Sequence, residues 1–553
     1  MTGQPLYNNN NRTNGGLSVD KNILPAVAGA VVTLAAMLAE PQTSQAQAFS
    51  ESALSTIRYT VARIQPQLHC AQLAQRAGGE VSYLQPQSVA AVGELPSFCR
   101  VKGLIAPEVA FELSLPLNWN GRFYMFGNGG HAGEDLEAPN RVAERNAALR
   151  AGFAVAQTNT GHDARAEPAA SFGFNNTAKT VDYAFRAVHL TAETAKRIAH
   201  AYYDQPVKYS YWNACSTGGR QGLVEAQRFP QDFDGVIAGS PVLDFSGKTI
   251  SGLWNGKAMD GVPITVEKLN LMAQAVYARC DALDGLADGL IDNPRRCDFD
   301  PTQHVAQCPA GKDDASCLTP AQSQGLKKIY DGVQSNGKAF FPGFSPGSEA
   351  PVAGRDGRLV SLWAGSLVST GAAPPADFGI SDSSMKYLVF PKDDPTYDFR
   401  KFDYDKDLAQ LDTFSQLFDA TNPDLAPFRQ RGGKLLMYYG WADQLLPPEM
   451  GVSYYERALK ANGPDTKDFF RFFTVPGMAH CRGGVGPDRF DAVTAIVNWV
   501  ENGKAPDSLT ATQWEGDKVK RSRPLCPYPQ VARYSGKGDV NAAANFSCVS
   551  PVN

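Results

Sequence analysis

The sequence predicts an α/β fold in which an open, mostly parallel sheet carries helices on both faces and is interrupted by a large insertion. Three observations predict it. Apolar, β-rich runs alternate with helical patterns from about residue 100 to 245, and the same rhythm returns after about 425. Between them it lapses into Gly, Pro, Asp and Ser clusters with four cysteines. Strands separated by helices require crossover connections, and these cover a parallel sheet on both sides.

The elements follow in chain order. Residues 1–48 read as a targeting segment: a polar start with Arg12 and Lys21, an apolar run from Ile23 to Ala39, then Ala46-Gln47-Ala48 as a small-x-small cleavage site. The run is shorter than the roughly 20 residues needed to span a bilayer, so a signal peptide is expected and a mature chain beginning near Phe49. Strands are expected at Phe111–Leu115, Arg122–Phe126 and Gly152–Gln157, a long amphipathic helix at Val181–Tyr203, and a strand at Val207–Trp212. After the insertion come strands at Lys434–Tyr439 and Phe469–Val475 and a helix around Asp488–Glu501. The expected organisation is a core in two parts, 49–244 and 426–553, flanking an inserted lid domain at 245–425. The tail after about 505 has modest periodicity and two cysteines, Cys526 and Cys548.

Composition narrows the function. The chain has 553 residues, 43% hydrophobic and 20% charged, with a formal net charge of −4. It therefore has no global basic field for nucleic acid or an anionic membrane, and a small neutral or weakly acidic substrate fits better. All ten cysteines lie downstream of the cleavage site, which suits an oxidising compartment, secreted or periplasmic. Cys70 with Cys99, Cys280 with Cys297, Cys308 with Cys317 and Cys526 with Cys548 are neighbours along the chain, although sequence alone leaves connectivity open. No C-x-x-C pair and no histidine cluster suggests zinc.

The chemistry is concentrated in two dipeptides about 265 residues apart, Cys215-Ser216 and His480-Cys481. If the two cysteines bond, their Cα atoms approach to roughly 5.5 Å, which puts a serine hydroxyl beside an imidazole. The run Val207–Trp212, then Asn213-Ala-Cys-Ser-Thr-Gly-Gly219, then a helical Arg220–Arg228 is strand, sharp turn, helix. That is the context of the nucleophile elbow of α/β-hydrolases, with Ser216 as nucleophile. Ala214 stands where the elbow motif has its first glycine, so the backbone there must suit a residue with a Cβ.

In this fold the triad runs serine, acid, histidine along the chain. Of seven histidines only His304 and His480 follow Ser216, and His304 lies in the insertion. His480 follows a strand, in Val475-Pro-Gly-Met-Ala-His-Cys-Arg-Gly-Gly484, and is the expected base. Asp443, just after the strand Lys434–Tyr439, is the expected acid, with Glu449 as the fallback. The oxyanion donors are expected to be the N–H of Thr217 and one from the glycine-rich loop after Phe126, either Gly129 or Gly130.

Within the insertion, Asp281, Asp284, Asp288 and Asp292 recur at short spacing with Gly285 and Gly289 between them. Hard oxygen ligands at such spacing suit Ca²⁺, although the pattern is not that of an EF-hand; a solvated acidic loop is the alternative.

These residues resemble the tannase and feruloyl esterase family over most of the mature chain, with Cys215-Ser216 and His480-Cys481 similar to its paired cysteines and Asp443 where its acid lies. The resemblance implies an α/β-hydrolase core with a lid that forms much of the substrate pocket, and hydrolysis through an acyl-enzyme. It also implies a structural Ca²⁺ held by Asp281, Asp284 and Asp288 with the carbonyls of Leu286 and Leu290, and disulfides at the four neighbouring cysteine pairs. The expected activity is a secreted serine esterase acting on esters of aromatic, phenolic acids. Galloyl esters and terephthalate monoesters are the alternative substrates; a serine peptidase and a non-catalytic binding protein on the same scaffold are more remote. Trp363 or Phe378 is expected to line the slot for the aromatic acyl group. Arg355 or Arg358 is the cation that a terephthalate monoester would need.

Overall fold

A computed structural model of the protein describes residues 48–551, apart from 52–54, 56, 58 and 60–62. The segment 1–48, expected from the sequence to be a signal peptide, lies outside the described residues, Ala48 excepted. One nine-stranded sheet forms the core. Its strands are β1 (Val81–Val89), β2 (Phe98–Ile105), β3 (Val109–Pro116), β4 (Arg122–Phe126), β5 (Ala154–Thr158), β6 (Tyr209–Cys215), β7 (Gly235–Gly239), β8 (Lys434–Gly440) and β9 (Phe470–Val475), in spatial order β1-β2-β3-β5-β4-β6-β7-β8-β9. The first three pairings along that order, ending at β3 with β5, are antiparallel. All those from β5 with β4 to β8 with β9 are parallel.

The parallel half is apolar on both faces because side chains alternate across a strand. Phe123, Met125, Val236 and Ala238 pack into a core cluster with helices α2 (Ala187–Tyr203) and α3 (Thr217–Arg228). Their neighbours Tyr124, Phe126 and Ile237 point the other way, onto α1 (Pro139–Arg150) and α6 (Ala492–Asn502). α2 meets the sheet through Ala187, Val188, Thr191, Ala195, Ile198 and Tyr202, the stripe of an amphipathic helix. The expected helix from Val181 begins with a π-helical turn, Asp182–Arg186, before α2 proper. α6 starts where Asp491 Oδ1 accepts the N–H of Thr494, 2.8 Å away, which satisfies a donor its first turn leaves free.

The insertion lies between β7 and β8. It contributes α4 (Phe245–Ala258) and α5 (Ala376–Ser384), short two-stranded hairpins and several other helices, but no strand of the main sheet. Ile264, Leu269, Met272, Leu326, Ile329, Phe344 and Trp363 make a core of its own. Phe245, Ile250 and Leu253 of α4 join the main core instead. The strands β1, β2 and β7, and the C-terminal hairpin Leu509–Glu515 with Lys518–Leu525, are additional to the strands expected from the sequence. The five disulfides are Cys70–Cys99, Cys215–Cys481, Cys280–Cys297, Cys308–Cys317 and Cys526–Cys548. Among the described residues no helix is long and apolar enough to cross a membrane.

Candidate active site

In an open α/β sheet, ligands collect at the carboxyl ends of the strands. Here the ends of β6, β8 and β9 lie close together, and the turns that leave them carry Ser216, Asp443 and His480.

Ser216 stands between β6 and α3 with φ 64° and ψ −124°. This is a costly conformation for a residue with a Cβ. Its N–H donates to Gly239 O at 2.9 Å, and its C=O accepts from Arg220 N at 3.0 Å, so the turn is held on both sides. Ala214 is still within β6, in ordinary strand conformation. The close approach is supplied instead by Gly218, where a Cβ would lie 2.4 Å from the Ala214 methyl. An alanine is therefore accommodated before Cys215 because the helix beyond the turn has no side chain at that contact.

His480 Nε2 lies 2.9 Å from Ser216 Oγ, and Nδ1 lies 2.9 Å from Asp443 Oδ2. Asp443 is fully buried. Its other oxygen, Oδ1, accepts the N–H groups of Leu445 and Leu446, each at 2.9 Å. Gln444 Oε1 accepts the backbone N–H of His480. The Cys215–Cys481 bond, with Cα atoms 5.9 Å apart, joins the residues next to the serine and the histidine. Cys481, like Ser216, has positive φ, 65°. Glu449 is not part of this arrangement; it pairs with Arg295 at 3.2 Å.

The two glycines of the loop after β4 are separated by their partners. Gly129 N–H donates to Glu134 Oε1 at 2.9 Å, whereas Gly130 lines the pocket beside Ser216, Thr217 and His480. Thr217 Oγ1 and the Tyr183 hydroxyl both donate to Gly130 O, at 2.5 and 2.9 Å, which fixes that stretch of loop against the start of α3. His131, next in the chain, also lines the pocket; burial, then His162 and Arg220, hold its pKa down to about 4, so it is neutral near neutral pH.

The remaining wall of the pocket differs from the sequence expectation. Val242, Phe245, Ile380, Leu445 and Leu446 make it apolar, and Lys248, Thr249, Asp377 and Ser381 make it polar. Trp363 is buried in the insertion's own core, its Nε1 donating to Ser348 Oγ. Phe378 packs on Phe399 with ring centroids 4.7 Å apart and lines a separate, larger cavity of about 1010 Å³ that does not include Ser216. Neither lines the pocket beside Ser216: Trp363 is taken up by the insertion's own core, and Phe378 packs against the main core and faces the other cavity. Arg355 and Arg358 are exposed in the turn joining Pro351–Ala353 to Leu359–Ser361, with Arg358 Nε 2.7 Å from Asp356. Among the described residues, the Lys or Arg side chain that lines the pocket is Lys248. No sequence motif marks Lys248 or Asp377, whereas Leu445 and Leu446 could have been found as the residues following the acid.

The acidic loop of the insertion lies beside the histidine loop. Leu290 packs where a Cβ on Gly477 would be, at 2.7 Å. Asp281 Oδ1 accepts the N–H groups of Asp288 and Gly289, and Asp288 Oδ2 pairs with Arg523. Burial first, then the charges of Asp288 and Asp281, raise Asp284 to about 6; burial and the charges of Asp284 and Asp288 push Asp292 well up. The loop thus crowds more negative charge than Arg523 and Arg521 offset, and its donors are hard oxygens, so these residues fit a calcium ion. Elsewhere among the described residues, His189, Glu193 and Asp232 bring potential ligand atoms within 4.8 Å of one another. That group is already an ion-pair network, with His189 Nδ1 2.6 Å and Lys196 Nζ 3.2 Å from Asp232.

A family model described as tannase and feruloyl esterase matches residues 90–549. The chain is 35% identical to mono(2-hydroxyethyl) terephthalate hydrolase of Piscinibacter sakaiensis, over 84% of this chain and 87% of that protein. It is 31% identical to feruloyl esterase B of Aspergillus niger, over 86% and 91% respectively. The crystal structure of feruloyl esterase B from Aspergillus oryzae superposes with a TM-score of 0.75 at 27% identity, covering 87% of this chain and 99% of that one. Tannin acyl hydrolase from Aspergillus niger shares the fold, with a TM-score of 0.66 at 22% identity over 85% and 90%.

Proposed function

The chain belongs to the tannase and feruloyl esterase family, and from that premise we propose that it is a serine esterase hydrolysing esters of aromatic, phenolic acids through an acyl-enzyme. The observation that carries the reading is the line of 2.9 Å contacts from Ser216 through His480 to Asp443, opening on a pocket with apolar walls.

Ser216 Oγ attacks the ester carbonyl while His480 Nε2 takes its proton. Asp443 holds Nδ1–H, fixes the tautomer and stabilises the imidazolium. The oxyanion rests on the N–H groups of Thr217 and Gly130. Collapse breaks the ester C–O bond, and His480 gives its proton to the leaving alcohol. Water, deprotonated by His480, then attacks the acyl-enzyme, and Ser216 recovers its proton as the acid leaves. The apolar walls from Phe245, Ile380, Leu445 and Leu446 suit a flat acyl group. The insertion acts as a lid in this reading, since α4 and α5 supply part of that pocket.

A structural Ca²⁺ in the loop is part of the proposal, with Asp281, Asp284 and Asp288 and the carbonyls of Leu286 and Leu290 as its ligands; bound there, it would neutralise crowded carboxylates. Export by the segment 1–48 to an oxidising compartment, outside the cell or in the periplasm, is proposed on the cleavage pattern and the five disulfides.

The test is hydrolysis of methyl ferulate, methyl gallate, mono(2-hydroxyethyl) terephthalate and p-nitrophenyl acetate by the mature protein, with Ser216→Ala as control. Turnover of an aromatic ester, lost in the control while the fold is kept, is the expected result. Turnover of the activated acetate alone would reject the aromatic substrate class, and residual activity in the control would reject Ser216.

A further inference from the structure

Inside the insertion, Lys248 of α4 and Asp377 of α5 form an ion pair across 129 residues of sequence. Both are buried, at 7% and 3% exposure, and both line the pocket that holds Ser216 and His480. Asn255 Nδ2 donates to the second oxygen of Asp377 at 3.0 Å. The two helices are pressed together beside the pair: a Cβ on Gly252 would lie 2.0 Å from Ser381 Oγ, and one on Gly256 2.3 Å from the Phe378 ring. The pair is thus held by a rigid helix contact.

A buried ion pair of this kind is a poor source of stability, because desolvation of both charges offsets their attraction. Its place in the wall of a pocket gives it a different use. The pocket has the catalytic constellation of Ser216, Thr217 and His480, apolar walls from Val242, Phe245, Ile380, Leu445 and Leu446, and this polar patch in the lid wall. Lys248 Nζ has three N–H donors, of which Asp377 takes one, and the carboxylate of Asp377 is acceptor-only. Side by side they offer a donor and an acceptor with little net charge.

We propose that Lys248 and Asp377 form a subsite for a ring hydroxyl of the acyl group, at the end of the ring remote from the ester carbonyl. The inference rests on the esterase reading above and narrows its substrate class. The hydroxyl oxygen accepts from Lys248 Nζ, and its proton is donated to an oxygen of Asp377. A free carboxylate in the same place would gain Lys248 but face the carboxylate of Asp377 with no proton to give it. The subsite therefore favours hydroxylated aromatic acids over aromatic dicarboxylic monoesters, and leaves an unsubstituted ring with an unmatched polar wall.

The experiment compares kcat/KM of the mature protein on methyl 4-hydroxybenzoate, methyl benzoate and monomethyl terephthalate, and on methyl 4-hydroxycinnamate and methyl cinnamate. The hydroxylated ester of a series is expected to exceed the unsubstituted one by about 10- to 100-fold, the size of a hydrogen bond to charged groups, and to exceed the terephthalate. In the charge-free double variant Lys248→Met with Asp377→Asn, that ratio is expected to fall toward one. Hydroxylated and unsubstituted esters within about threefold of each other in the wild type, a preference for the terephthalate, or an unchanged ratio in the variant would each overturn the subsite while the esterase reading stands. Hydrolysis of p-nitrophenyl acetate with no turnover of any aromatic ester would instead overturn the esterase reading itself, and the subsite with it. If the double variant does not fold, competitive inhibition of the wild type by 4-hydroxybenzoate against benzoate supplies the second ratio, with the same two outcomes.

Discussion

Asp443 shows how much a single buried side chain can determine. One oxygen faces His480 Nδ1 and the other accepts two backbone N–H groups, from Leu445 and Leu446. An asparagine there would keep its carbonyl oxygen on the two N–H donors and turn its amide toward the imidazole. Nδ1 would then have to accept, the proton would move to Nε2, and the ring could no longer take the proton of Ser216. Asp443→Asn is therefore expected to lower kcat by about 10³- to 10⁴-fold, the loss typical of a wrong tautomer, with circular dichroism unchanged. A loss below about tenfold in steady-state assays would place the acid elsewhere. The same residue-scale accounting separates Gly129, whose N–H is taken by Glu134, from Gly130, which lines the pocket.

At the scale of elements, the histidine loop depends on its neighbours. Gly477 has φ +70° and Leu290 of the acidic loop against its Cα, so a glycine is required there by conformation and by space. Val485 and Gly486 N–H close back on Gly477 O, and Gln513 Nε2 of the C-terminal hairpin donates to Val485 O. Arg521 and Arg523 of the same hairpin reach Asp288 of the acidic loop. An ion in that loop would brace the support of His480. Removing calcium with a chelator is expected to lower the thermal midpoint, and its return at about 100 times its Kd to restore about 2.7 kcal/mol of stability. A midpoint indifferent to both treatments, measured by calorimetry, would remove calcium from the loop.

For the molecule as a whole, the Cys215–Cys481 bond is the device that spans the most chain. It closes a loop of sequence separation 266 that contains the entire insertion, and it does so at the catalytic dipeptides. A cross-link stabilises chiefly by restricting the unfolded chain, typically by about 2–4 kcal/mol. Replacing both cysteines by alanine is expected to lower stability by about that amount, read by urea denaturation. It should also reduce kcat, because the serine turn and the histidine loop would keep their places only through packing. Equal stability and equal kcat in the double variant would show that packing alone positions them.

The sequence by itself determined the fold class and the residues of the candidate triad. Both are local signals: apolar runs of strand length, a small-residue turn between strand and helix, and an aspartate and a histidine each just past a strand, in the chain order the fold demands. Strands such as Arg122–Phe126 and Lys434–Gly440 are buried on both faces, so their composition announces them. β1, at the antiparallel edge, is mostly exposed, with only Val81 and Leu84 buried, and β2 alternates buried positions with less buried ones, so both carry a weaker signal. Only the tertiary structure decided what faces the substrate. Trp363 and Phe378 are aromatic residues of the insertion like Phe245, and nothing local tells which of them packs away from the serine and which lines its pocket. Lys248 and Asp377 sit on helices far apart in the chain and meet only once those helices pack. Burial is a collective property of the folded chain, so the reactive groups can be read from motifs while the pocket that selects their substrate cannot.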